Sequence, residues 1–218
     1  GAGPKPQDVG QQFVRAFDPK TGKRVWEYPL TGAGEMWAGT VGTKTGVIFF
    51  TQGKMDETRV LYHQLESLGA LEDAEEKKQA LYFVTMSYAA QNLADSAVEN
   101  YDAFQSAYKG DPIGENLQLI MGVMYLNPDA KHANAEKAIQ YFNEGLEIYP
   151  KGRTFGALVL ARAQAQIQLK KFAEAEKALQ DTLAQKPAKE LAVDAEFFLG
   201  TVQIQTGKQA EAVKTFKD

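Results

Sequence analysis

Few side chains in this sequence have the type and spacing to do chemistry. The two histidines, His63 and His132, are far apart in the chain, and neither has a second ligand at metal spacing. They read as surface or partly packed residues. Glu72-Asp-Ala-Glu-Glu76 concentrates carboxylates just ahead of a helical stretch, where negative charge meets the positive end of the helix dipole. The absence of cysteine excludes disulfides, thiolate metal sites and a cysteine nucleophile. No glycine-rich phosphate loop, Gly-x-Ser-x-Gly elbow or paired acid–base site occurs. Gly32-Ala-Gly34 is a turn signal, since no helix follows it. The expectation is a chain with no catalytic residues, no metal site and no cofactor.

Composition narrows the partners. A net charge of −4 leaves no basic surplus to neutralise phosphates, which argues against nucleic acid. No apolar run approaches the ~18 residues of a membrane span. The chain opens at Gly1 and not at Met, which fits a leader that has been removed.

The elements that would position any site are helices in the larger part of the chain. From Asp56 the apolar period is about 3.6. Val60, Leu61, Leu65 and Leu68 make one stripe, closed by Gly69. Small or short residues then recur at Thr85, Gly122, Ala163 and Gly200, spaced by 37, 41 and 37. A second series, Ala97, Ala138, Ala175 and Ala212, is spaced by 41, 37 and 37. Four helical hairpins satisfy both series, with four extra residues in the second, around Asn127-Pro-Asp-Ala-Lys-His132. The small residues let two helices approach closely. Tyr101, Phe142, Leu179 and Phe216 are expected to fill the space between hairpins, and Pro112, Pro150 and Pro187 to stop second helices.

This pattern resembles the tetratricopeptide repeat over residues 78–218. Gly122…Tyr125…Ala138…Phe142…Pro150 and Gly200…Gly207…Ala212…Phe216 match that family's small, aromatic and proline positions. Arg162, Gln166 and Gln203 stand where the family has apolar or aromatic residues, so the third and fourth units match more loosely. The resemblance implies an α-solenoid whose first helices line a concave groove. Its groove rows would be Tyr82, Leu119, Leu160 and Phe197, then Met86, Val123, Gln164 and Thr201. These rows are largely apolar and do not resemble the Lys, Arg and Asn rows of members that clamp a terminal carboxylate. Two occupants stay open: an apolar helix or strand of a partner, or the chain's own residues 54–69. The sequence stops at Phe216-Lys-Asp218 without a polar cap, which suggests a truncated end or one covered by a partner.

Residues 1–53 have a different period. Phe13–Phe17, Arg24–Tyr28, Met36–Val41 and Val47–Phe50 read as four short strands in a meander. Asp18-Pro-Lys-Thr-Gly22 is a turn, because proline presets φ and glycine supplies a positive φ. Ala16-Phe-Asp-Pro-Lys-Thr-Gly-Lys-Arg-Val-Trp26 resembles the tryptophan-docking motif of quinoprotein (PQQ-type) β-propellers, and Trp37 to Phe50 looks like the opening of the next blade. The resemblance implies structural roles for Asp18, Thr21, Gly22, Trp26 and Trp37. The family's catalytic Asp, calcium ligands and adjacent cysteine pair have no counterparts here, so its activity is not carried over. That family works in the periplasm or outside the cell, which is the location the resemblance implies; the cytoplasm is the alternative.

The expected architecture is therefore mainly α: a β segment over 1–53, then a helical repeat domain over 54–218. The expected function is a non-enzymatic scaffold that binds an apolar segment of another protein, with its ends or β edge docked to a larger assembly. The alternative is a piece of a quinoprotein alcohol dehydrogenase system.

Overall fold

The computed structural model describes residues 12–17, 24–30 and 73–217, together with the helical positions Arg59, Tyr62, His63, Glu66 and Ser67. The chain divides into two compact units, 1–76 and 77–218. In the first, β1 (Gln12–Phe17) pairs antiparallel with β2 (Arg24–Leu30). Gln12 stands opposite Leu30 and Ala16 opposite Trp26, with an irregularity between Ala16 and Phe17. Asp18, Thr21, Gly22, Trp37 and the two further strands expected over 36–41 and 47–50 lie outside the described residues.

The helices are α1 (Ala74–Ala90), α2 (Ala94–Tyr108), α3 (Leu117–Leu126), α4 (Ala135–Ile148), α5 (Phe155–Gln168), α6 (Phe172–Ala184), α7 (Lys189–Gln205) and α8 (Gln209–Thr215). Successive pairs make four helical hairpins, with α1, α3, α5 and α7 as first helices. Within hairpins α3 packs on α4, α5 on α6 and α7 on α8, while α3 lies beside α5 and α5 beside α7. Asp73 opens α1: its Oδ1 accepts from the N–H of Glu75 at 2.9 Å and of Glu76 at 3.3 Å. The carboxylate cluster is thus an N-cap with acidic residues in the first turn, as the helix dipole favours.

Every residue of both small series is buried. Thr85, Ala163, Ala97, Ala138 and Ala175 have no exposed surface, and Gly122, Gly200 and Ala212 are also buried. The sizes of facing residues complement each other. A Cβ added at Gly122 would run into the ring of Phe142, and one at Gly200 into the ring of Phe216. In the third hairpin Ala163 is instead matched by the smaller Leu179, in a cluster with Ala195 and Leu199. Phe142 and Phe216 therefore close on the glycine of their own hairpin, which corrects their expected place between hairpins. Spacing along a helix says which residues share a face, but not which neighbour a long side chain leans toward. Leu179 does reach the next hairpin, and so does Tyr101, whose ring meets Tyr141 edge-on at 5.2 Å.

The turns within hairpins share one bond. The N–H of Leu93, Lys171 and Lys208 donates to the carbonyl five residues back, on Tyr88, Gln166 and Gln203, at 3.0, 2.8 and 2.8 Å. This is the longer bond of a Schellman cap, and the residue before each donor is left-handed: Asn92 (φ 56°), Lys170 (φ 58°) and Gly207 (φ 78°). In the second hairpin Asn134 N–H closes the same bond on Tyr125 at 2.7 Å across the longer turn. The four extra residues are looped out and the register is kept. Asn134 also caps α4, its Oδ1 accepting from Lys137 N–H at 2.9 Å.

Between hairpins, the prolines follow the second helices at a short distance. Pro150 comes just after α4 and Pro187 after α6, whereas Pro112 opens a 3-10 turn, Pro112–Asn116. Two clamps fix these crossings. Glu115 is buried and its Oε1 accepts from Thr154 N–H at 2.8 Å, with Arg153 at 3.6 Å from its other oxygen. Lys78 pairs with Asp111 at 2.7 Å, and the Tyr149 hydroxyl donates to the Asp111 carbonyl at 2.9 Å. The Lys78 ammonium, then the Ile113 N–H, hold the Asp111 carboxyl below its ordinary range.

Candidate functional site

The first-helix face leaves carbon exposed. On α7, Val193, Phe197, Thr201 and Ile204 fall at intervals of four, four and three, one stripe of the helix. Phe197 is 60% exposed and Val123, on α3, is 50% exposed. Val193 and Ile204 are exposed too. Burying such side chains against a partner releases about 25 cal/mol per Å² of apolar surface.

The eight residues expected to line the groove are placed unevenly. Tyr82 is buried, 6.4 Å from the ring of Phe104, and belongs to the packing of the first hairpin. Met86, Leu119, Leu160 and Thr201 are half-buried. Leu160 rests on the cluster around Ala163 and Leu179, and Thr201 Oγ1 donates to the Phe197 carbonyl of its own helix at 2.8 Å. Val123, Gln164 and Phe197 are exposed. Of the residues expected to be structural, Gly122, Ala138, Phe142, Ala175, Gly200 and Ala212 are buried, Pro150 is exposed, and Trp26 lies in β2.

The loosely matching polar positions are only partly satisfied, since Arg162 Nε and Gln166 Oε1 are buried without a hydrogen-bond partner. Gln203 Oε1 accepts from Thr215 Oγ1 at 2.8 Å, and Arg162 Nη1 donates to Asn143 Oδ1 at 3.1 Å. Burial holds the Arg162 guanidinium below its ordinary range. Of the histidines, His63 lies 3.4 Å from Glu66, and His132 meets the ring of Tyr125 edge-on at 5.5 Å.

The second-helix face carries a site that sequence reading missed. A cleft of about 500 Å³ opens between α2 and α4, lined by Tyr101, Asp102 and Gln105 on one side and Lys137, Tyr141 and Glu144 on the other. Tyr101 is 3% exposed and Gln118, behind it on α3, is fully buried. The Tyr101 hydroxyl and both amide atoms of Gln105 and of Gln118 have no hydrogen-bond partner in good geometry. A buried polar atom left so costs about 1–3 kcal/mol. Burial, then the nearby Glu144 carboxylate, pushes the Tyr101 phenol far above its usual range. Burial raises Tyr141 as well, helped by Tyr125 and Asp102. Tyr125 stacks on Tyr141 at 5.7 Å and its hydroxyl accepts from Lys137 Nζ at 2.7 Å.

A signal for this site was present in the repeat. Gln118 stands four before Gly122, where the neighbouring units have Leu81 and Val159. Gln105 stands eight after Ala97, where the later units have Leu146 and Leu183. Gln105 breaks an apolar column, and Gln118 breaks one that is apolar in the first and third units and holds Glu196 in the fourth.

Among the described residues, no three His, Asp or Glu side chains are grouped to hold a metal ion, and no helix is long and apolar enough to cross a membrane. No family model matches the chain, and no curated protein matches it. Among solved structures it is similar to a thermophilic TPR protein, TTC0263, from Thermus thermophilus. The identity is 19% and the TM-score 0.44, over 75% of this chain and 88% of that one.

Proposed function

We propose that residues 77–218 form a non-enzymatic protein-interaction scaffold, and that the first-helix face binds an apolar segment of a partner. The observation that carries this reading is the exposed stripe Val193, Phe197 and Ile204, which runs past Thr201, the repeat equivalent of exposed Val123. An amphipathic helix or an apolar strand, with anchors at regular intervals, is the ligand chemistry that fits it. The partner-binding rows are Leu119, Leu160 and Phe197 with Met86, Val123, Gln164 and Thr201; Tyr82, being buried, supports them from below. Residues 1–53 as a separate β segment, a docking role for its edge, and a periplasmic or secreted location belong to the same reading. The alternative, a piece of a quinoprotein dehydrogenase system, gains no specific feature from the β1–β2 pair.

A displayed peptide library selected on the full chain tests this. The expected winners carry apolar anchors three or four residues apart, and Val123→Glu with Phe197→Glu weakens them at least tenfold. Winners that bind the double variant as well as the parent would place the ligand elsewhere.

A further inference from the structure

We propose that the cleft between α2 and α4 is a second binding site, for a neutral carboxamide carried by an asparagine or glutamine side chain of a peptide. It lies on the second helices, so it is separate from the apolar first-helix rows and does not depend on them. Three observations converge. First, three buried polar atoms that line the cleft, the Tyr101 hydroxyl and both amide atoms of Gln105, make no hydrogen bond of good geometry, although Glu144 and Gln118 lie beside the hydroxyl. A phenol and a carboxamide offer both donors and acceptors, which is the complement of another carboxamide. Second, the charged groups lining the cleft balance: Asp102 and Glu144 against Lys109 and Lys137. An ion of either sign meets as much repulsion as attraction, whereas a neutral dipole does not. Third, the polarity is concentrated here. The Gln105 column holds Leu146 and Leu183 in the later units, while the Gln118 column holds Leu81 and Val159 but Glu196 in the fourth unit. The framework packs with carbon at the Gln105 position, so a carboxamide there does something that packing does not need. A volume of about 500 Å³ is within the range of small-ligand pockets and accommodates one long side chain with its flanking peptide groups.

The probes are N-acetyl-glutamine methylamide and its norleucine and glutamate counterparts, titrated into the full chain. The side-chain amide resonances of Gln105, which lines the cleft, report the contact directly. The expected result is a saturable shift of these resonances with the glutamine compound, at least tenfold tighter than with the apolar or anionic compound. Gln105→Leu, on the half-buried rim of the cleft, weakens that binding about tenfold with the helical signal unchanged. Tyr101→Phe with Gln105→Leu abolishes it. Equal behaviour of all three compounds, no saturation by about 10 mM, or unchanged binding to Gln105→Leu would each overturn the proposal.

Discussion

The two faces of the helical array differ in what they leave unsatisfied. The first-helix face leaves apolar surface in water, at Val123, Val193, Phe197 and Ile204. The second-helix face, at its first crossing, leaves polar atoms out of water, on Tyr101 and Gln105. Both lie over one layer of small–large pairs, Gly122 with Phe142, Ala163 with Leu179 and Gly200 with Phe216. An exposed carbon costs little in stability and rewards an apolar partner. A buried, unpartnered amide costs stability until something pairs with it. The contrast teaches that the fold is maintained between the faces, and that each face is free to specialise.

The largest effect should come from breaking the shared layer. Phe142→Ala is expected to cost about 3–5 kcal/mol, read from urea unfolding. Adding Gly122→Ala to Phe142→Leu copies the third hairpin's pairing and should cost less than Phe142→Leu alone, because the new methyl occupies part of the space left by the ring. Next, Glu115→Ala removes the acceptor for the buried Thr154 N–H and should cost about 1–3 kcal/mol. That loss should appear equally in binding by either face, since the clamp sits between hairpins.

Smaller effects separate the faces. Tyr101→Phe deletes a buried hydroxyl that makes no hydrogen bond of good geometry, although Glu144 and Gln118 lie beside it, and should raise stability by about 1 kcal/mol or less. It should also change the pH dependence. In the folded chain the Tyr101 phenol is pushed up, chiefly by burial, while the unfolded chain ionises near pH ~10. The stability from keeping this phenol neutral is complete below that pH and is lost as pH rises toward the folded value. Alkaline unfolding of Tyr101→Phe should therefore be shallower above pH ~10. At the acid end, Asp111 is held low by Lys78. Its stabilisation is present above the ordinary carboxylate range and is lost as pH falls through the depressed value. Asp111→Asn should flatten that limb. The smallest effect belongs to Val123→Glu with Phe197→Glu, expected to change stability by about 0.5 kcal/mol or less, because both sites already face water.

Much of this fold was legible in the sequence for a simple reason. Close helix approach needs small residues, and a fixed spacing of them marks a fixed geometry. The two series at Thr85 and Ala97 onward located all four hairpins and placed the four-residue loop before Asn134. What spacing does not carry is side-chain direction. Phe142 and Phe216 turned inward to their own glycines, and Tyr82 turned into the core and away from the groove face. The cleft was invisible for a different reason. A glutamine on a helix usually faces water, and only comparison with the apolar residues Leu146, Leu183 and Val159 shows that Gln105 and Gln118 do not belong to a solvated surface. Residues 36–50, with their tryptophan and paired turns, lie outside the described residues, so the propeller-like reading stands on their sequence alone.

The most direct test of the central claim is a hydrogen-exchange map of the full chain with a selected apolar peptide bound. The account predicts added protection along α3, α5 and α7, strongest near Phe197, and little change on α2, α4 and α6. Protection confined to the second helices, with the stripe on α7 unchanged, would contradict it.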